Sequence, residues 1–230
     1  MLKENNQVLI DKYIVELCTD EIFTNDVKPY MELLFYKKNE YVCREGEKIG
    51  YLLFIVAGKA KVFTTVSNGK SLLLCFYPKK TILGDIEMLD DRAVATNVQA
   101  IEDTYCIGIS KENIRKHLLE DSKFLKYLCN SLGYKLQRTA KNSAINMLYP
   151  LEKRLSSYVL AGGDLLDNGT RVLSVNENLI ELSELLGTSY RHLHRTLKSL
   201  CEKGLLKKTE NGYEVINHKE ISRLAADLYS

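Results

Sequence analysis

The first 116 residues contain no histidine; all four histidines of the chain come later, beginning with His117. A β-roll enzyme of the cupin type would hold its metal on histidines, so this absence weighs against that chemistry. The six cysteines, Cys18, Cys43, Cys75, Cys106, Cys129 and Cys201, contain no Cys-x-x-Cys pair. They read as free thiols of a reducing compartment, not as staples or a zinc site. No Ser/His/Asp or metal-ligand spacing occurs elsewhere, so the expectation is a protein that is not an enzyme. No apolar run approaches the ~18 residues of a spanning helix. The opening MLKENNQVLI has no signal-peptide core. A cytoplasmic protein with no membrane partner is expected. Neither sign of charge is scarce, with 32 Lys and Arg against 30 Asp and Glu, so the net +2 excludes nothing.

The distribution of charge says more than its total. Between Thr188 and Lys208 six basic residues (Arg191, Arg195, Lys198, Lys203, Lys207, Lys208) face one acid, Glu202, an excess of +5 over 21 residues. An excess of this kind attracts phosphate backbones.

The chain changes texture twice. Residues 1–34 carry helical or mixed patterning. From Phe35 to Ile109 short β-rich runs, such as Tyr51-Leu52-Leu53-Phe54-Ile55-Val56 and Ser71-Leu72-Leu73-Leu74-Cys75-Phe76-Tyr77, alternate with turn residues. Ser67-Asn68-Gly69-Lys70 suits a tight two-residue hairpin loop. Turns about every ten residues indicate a small barrel or roll. Beyond Ser110 the pattern is helical. Ser110-Lys111-Glu112-Asn113 has the form of an N-cap. A long helix follows over 121–147, with Leu125, Leu128, Leu132, Leu136 and Thr139 spaced like a coiled-coil seam, so a homodimer through this helix is expected. Pro150 breaks the chain and makes Tyr149-Pro150 a hinge. Then come a helix over 151–160, a strand over 171–175, two helices over 179–186 and 189–203, a hairpin around Asn211-Gly212, and a final helix over 219–229.

The pair of helices carries the functional signal. Leu182, Leu185, Leu186, Leu193, Leu197 and Leu200 form their shared apolar side. Gly187 lies where a tight turn needs a residue without a β-carbon. That spacing lets a second helix enter the major groove while the first crosses the backbone. Tyr190, Arg191, His194, Arg195 and Lys198 then face outward. Ser189, at the helix start, is placed to bond a phosphate. Arginine can bond a guanine edge through two parallel hydrogen bonds.

Two motifs give the chain a resemblance to the bacterial Crp/Fnr family of transcription regulators. One runs from Ile180-Glu181-Leu182-Ser183-Glu184-Leu185-Leu186-Gly187 through Thr188-Ser189-Tyr190-Arg191-His192-Leu193-His194-Arg195-Thr196-Leu197-Lys198 and is similar to the family's DNA-binding signature. Ser189 and Arg195 fall at the family's phosphate-contacting serine and base-contacting arginine. Tyr190-Arg191 replaces the frequent Arg-Glu. The other comprises Glu45-Gly46, residues 51–62, Asn68-Gly69-Lys70 and Ile82-Leu83-Gly84-Asp85, and resembles the cyclic-nucleotide-binding roll. The resemblance implies an α+β chain with three parts. A sensor jelly roll (a double-stranded β-helix) spans 1–118, a dimerisation helix 119–149 and a winged helix-turn-helix 150–230. It also implies double-stranded DNA with a pseudo-palindromic operator as partner, and RNA polymerase as a further one.

The family binds a cyclic phosphate in a loop opened by Gly-Glu and closed by Arg-Ser or Arg-Thr. This loop instead reads from Gly84-Asp85-Ile86-Glu87 to Arg92-Ala93-Val94-Ala95-Thr96-Asn97-Val98. Counted back from Val98, Val94 takes the arginine position and Ala95 the serine position. Arg92 is two residues early, about 7 Å along a strand. These changes speak against cyclic AMP. An iron–sulfur cluster needs four converging thiolates, and only Cys18 precedes residue 40. Haem lacks a histidine in the roll. Three modes of control stay open. One is another ligand at Gly84, Asp85, Ile86, Ala95 and Thr96 together with Leu132, Leu136 and Thr139 of the long helix. The second is redox sensing through cysteine thiols such as Cys106 or Cys129, and the third is no effector. The alternative from another class is a small-molecule-binding β-roll or cupin-type enzyme.

Overall fold

A computed structural model describes residues 1–90, 92–165, 171–174, 179–210 and 212–225. The chain opens with β1 (Leu2–Glu4), α1 (Gln7–Leu17) and α2 (Thr19–Ile22). The Asn6 side chain caps α1 by accepting from the Leu9 N–H. The roll follows as β2 (Met31–Tyr36), β3 (Tyr41–Cys43), β4 (Tyr51–Ala57), β5 (Ala60–Thr65), β6 (Ser71–Tyr77), β7 (Ile82–Leu83), α3 (Asp85–Asp90), β8 (Asn97–Ala100) and β9 (Thr104–Ser110). Its two sheets have the orders β1-β2-β9-β4-β7 and β3-β8-β5-β6. This is the expected double-stranded β-helix. The N-terminal strand β1 escapes local pattern because it is three residues long. It acquires its role only by pairing antiparallel with Leu33–Phe35.

β4 is apolar along its whole length because both its faces are covered. Leu52, Leu53, Phe54, Ile55 and Val56 are all buried. Phe54, Leu33 and Ile107 join Tyr13, Leu17 and Phe23 from the N-terminal segment in one apolar core. The hairpin between β5 and β6 differs from a two-residue loop. The Val66 carbonyl accepts from the Gly69 N–H, and the Val66 N–H donates to Lys70. Gly69 alone takes a left-handed φ, +81°. This is a three-residue loop, a turn closed by one left-handed residue, so the glycine matters and the asparagine needs no unusual backbone.

α4 (Lys111–His117) is capped by Ser110, whose Oγ accepts from the Asn113 N–H. α5 (Ser122–Leu148) starts after Asp121. The Asp121 carboxylate accepts from the Lys123 and Phe124 N–H groups, and also from the Thr24 N–H and hydroxyl. The first turns of α5 serve the protomer's own core. Phe124 stacks on Phe23 at 5.4 Å, and Leu128 is buried in the same cluster. Leu125 and Leu128, two residues of the expected seam, are thus partly or fully used within the chain. The outward stripe of α5 is Cys129, Gly133, Leu136, Ala140, Ser143 and Met147, with Leu132 half-buried at its edge. Among the described residues no helix is long and apolar enough to cross a membrane.

The remaining elements are α6 (Leu151–Gly162), β10 (Asp164–Leu165), β11 (Arg171–Ser174), α7 (Leu179–Leu185), α8 (Tyr190–Glu202), β12 (Leu206–Thr209), β13 (Gly212–Val215) and α9 (His218–Ala225). A four-stranded sheet takes the order β10-β11-β13-β12. Val175, Asn211 of the Asn-Gly turn and the end of the expected final helix lie outside the described residues. The chain divides into two compact units, Met1–Val62 with Tyr77–Arg138, and Phe63–Phe76 with Thr139–Ser230. In the second, the Asn142 and Asn146 amides donate to the Leu74 and Leu73 carbonyls, and Phe76 packs on Tyr158.

Candidate nucleic-acid interface and sensor site

The turn between α7 and α8 is built from backbone hydrogen bonds. The Gly187 N–H donates to Glu184, and the Thr188 N–H donates to Ser183. Gly187 has φ +59°, a left-handed conformation that costs a side-chain-bearing residue free energy. Ser189 then caps α8, its Oγ accepting from the His192 N–H at 3.2 Å. The cap uses a lone pair of the hydroxyl and leaves its proton for an acceptor outside.

α8 has a sharply divided surface. Leu193, Leu197 and Leu200 are fully buried, and Thr196 turns inward to donate to the His192 carbonyl. All six predicted DNA-facing residues, Ser189, Tyr190, Arg191, His194, Arg195 and Lys198, are exposed. Tyr190, Arg191, His194 and Arg195 line a shallow hollow of about 520 Å³. The Tyr190 and His194 rings stack across one helical turn, with centroids 6.1 Å apart and planes at 30°. Lys198 sits 3.7 Å from Glu202, an exposed pair that water screens and an incoming phosphate can replace. Lys207 and Lys208 project to solvent from β12, the first strand of the wing.

One residue of this region has no place among the sequence expectations. Arg154, in α6, is buried. Its guanidinium donates to the Tyr149 carbonyl at 3.2 Å and to the Leu186 carbonyl. It therefore joins the Tyr149-Pro150 break to the helix-turn-helix turn. A signal was available: Arg154 falls within the apolar stripe formed by Leu151, Leu155 and Tyr158.

In the roll, Asp85 begins α3 and is 3% exposed. Lys135 of α5 donates to its Oδ2 at 2.7 Å. The same ammonium lies 5.4 Å from the centre of the Tyr77 ring. Beside this pair, burial pushes the Glu87 carboxyl above the usual range, and neighbouring Asp85 adds to the effect. Val94 is buried and apolar; its backbone exchanges hydrogen bonds with Gly46 and Glu47. Arg92 points outward and pairs with Asp90. Of the other residues expected to line an effector pocket, Ile86, Ala95, Leu136 and Thr139 are exposed, and Thr96 and Leu132 half-buried. Lys135, on the same helix as Leu132 and Leu136 but on its inner face, is the residue that reaches Asp85.

Residues 33–121 match the model of the cyclic nucleotide-binding domain. Over 210 residues the chain is 31% identical to the regulatory protein YeiL of Escherichia coli O157:H7, covering 90% of this chain and 92% of that protein. The chain belongs to the Crp/Fnr family of transcriptional regulators.

As a family member it is a DNA-binding regulator of transcription and not an enzyme. The cyclic AMP receptor protein of Thermus thermophilus is 24% identical over 180 residues, 77% of this chain and 81% of that one. A solved CRP-family transcriptional regulator from the same organism shares the fold at 16% identity and a TM-score of 0.68, over 86% of this chain and 98% of that one.

Proposed function

We propose that the chain acts as a homodimer on a pseudo-palindromic operator, with α8 in the major groove. The domain division that fits this role is 1–118 for the sensor roll, 119–149 for the dimerisation helix and 150–230 for the winged helix-turn-helix. The outward stripe of α5 supports self-pairing, since its apolar members Leu136 and Met147 are 72% and 83% exposed in one protomer. Ser189 bonds a phosphate. Arg195 reads a guanine edge, aided by Arg191. Lys198, Lys207 and Lys208 neutralise backbone charge. Such a regulator works in the cytoplasm and has RNA polymerase as a second partner.

The observation that carries this reading is the division of α8 into three fully buried leucines and an exposed basic face. Its test is a selection from random duplexes, followed by anisotropy titration of the recovered site. Arg195→Ala should cost about 1–3 kcal/mol on that site and relax one base position in each half. Equal affinity of both proteins would refute the assignment.

Cyclic AMP is not the effector in this reading. A buried valine stands where an arginine would meet the phosphate, and the Asp85 carboxylate is already bonded by Lys135. Calorimetry with cyclic AMP should show no heat at micromolar protein. A redox role through Cys106 has less support, because burial pushes its thiol up to about 12, away from reactive thiolate.

A further inference from the structure

A carboxylate as buried as that of Asp85 needs partners for its charge. Both its oxygens have one: Oδ1 accepts from the Ile86 N–H at 3.3 Å, and Oδ2 from the Lys135 ammonium at 2.7 Å. That ammonium also lies over the Tyr77 ring, and the Arg138 guanidinium, one turn further along α5, lies 4.9 Å from the centre of the same ring. An aromatic face attracts cations, as a carboxylate does. Glu87 adds a second acid close to Asp85. The surroundings of Asp85 therefore favour a primary ammonium and repel a phosphate. Asp85, Tyr77 and α5 as far as Arg138 all belong to one compact unit. Within it the inner face of α5 changes character after Leu128. Phe124 and Leu128 are buried in the roll's core, whereas no residue from Cys129 to Arg138 is fully buried. Over that stretch cations take over from apolar packing in holding α5 to the roll, with Lys135 on Asp85 and both Lys135 and Arg138 on Tyr77.

We infer that the roll holds a cation site, built from Asp85 and Tyr77, which the chain fills with its own Lys135 ammonium, and that this tethered group replaces a free effector in the DNA-binding form. A small ligand linking α3 to α5 acts only when its concentration is high enough. Lys135 makes the same link within the chain, at an effective concentration set by its tether. The inference rests on the proposed reading of the chain as a DNA-binding dimer for which cyclic AMP is not the effector, and it names what takes the effector's place. Lys135 is a positioning residue: it acts on DNA binding through α5.

The test uses the full-length protein, purified without added ligand, and the duplex recovered by selection. By native mass spectrometry wild type should carry no small molecule and still bind this duplex. Lys135→Ala should weaken binding on the order of tenfold, a usual size for coupling between sites. Its α5 amides from Cys129 to Arg138 should exchange hydrogen faster, while those of β4 keep their protection. Millimolar butylammonium chloride, which supplies a free primary ammonium for Asp85, should restore both properties to Lys135→Ala. Tetramethylammonium chloride, which has no N–H to donate, should restore neither, and the double variant Asp85→Ala, Lys135→Ala should respond to neither salt. If Lys135→Ala does not fold, Asp85→Asn carries the same expected losses, since it removes the anion and keeps the shape. The inference is overturned if Lys135→Ala binds the duplex as tightly as wild type, or if butylammonium leaves its defects unchanged. It is also overturned if wild type holds a small molecule whose removal abolishes DNA binding. Failure of wild type to bind any selected duplex would instead overturn the broader reading of α8, and the exchange rates would still judge the Lys135 site by themselves.

Discussion

Arg154 is a buried guanidinium in the C-terminal unit, held by one carbonyl oxygen at the α5–α6 break, that of Tyr149, and one in the α7–α8 turn, that of Leu186. Its removal leaves two carbonyl groups without this donor. Arg154→Met should therefore destabilise this unit by about 1–3 kcal/mol, visible in thermal unfolding. Its DNA affinity should fall as well, since the Leu186 carbonyl belongs to the turn that sets α8. Asp121 makes a second residue-level prediction. Burial alone would raise its carboxyl, but hydrogen bonds from Thr24, Phe124 and Lys123 outweigh that and hold it below the usual carboxylate range. A group lowered in the folded state stabilises above its unfolded value, near 3.9, and loses that contribution as pH falls through the folded value. Denaturant titrations from neutral pH down through the acid range should show this loss in wild type and a smaller one in Asp121→Asn. Neither pattern was fully legible in the sequence. Asp121 reads as a helix start, but its bonds to Thr24, 97 positions away, exist only in the folded chain. Arg154 breaks an apolar stripe visibly, yet its acceptors cannot be named from spacing.

At the level of elements, α5 has different tasks on its two faces. Its inner face begins with Phe124 and Leu128 in the roll's core and continues through Lys135 on Asp85. Its outer stripe is exposed. The two faces predict opposite phenotypes. Leu128→Ala should cost about 2–5 kcal/mol of folding stability, because it opens a cavity in a packed core. Leu136→Ala should leave the stability of a protomer within about 0.5 kcal/mol, because its side chain is exposed there. In the proposed dimer it should instead raise the dissociation constant measured by sedimentation. A heptad-like pattern alone cannot divide these residues. Leu125, Leu128, Leu132 and Leu136 share a spacing, and only the packing of the roll separates those the protomer uses from those it leaves outside. The hairpin between β5 and β6 shows the converse. Its position was plain from Asn68-Gly69, but its loop has three residues because the pairing of Val66 with Lys70 sets the register.

Over the whole molecule, a net charge of +2 hides a concentrated basic face at α8 and the wing. If roughly three side chains of each protomer neutralise phosphates, log K should fall against log salt with a slope of about −5 for the dimer. Replacing Lys207 and Lys208 with glutamine should make that slope shallower without changing the preferred sequence. The sequence by itself determined the order of parts: a roll, a long helix, a proline break and a glycine-turned helix pair with a basic face. Those features rest on local rules, on the periodicity of side chains and the conformational limits of proline and glycine, which operate within a few residues. The tertiary structure alone decided what those parts touch. It placed Lys135 on Asp85, buried Arg154 against the helix-turn-helix turn, and sent Leu125 and Leu128 of the α5 seam into the roll. Such contacts join residues tens of positions apart, and their energies depend on burial and geometry that no stretch of sequence contains.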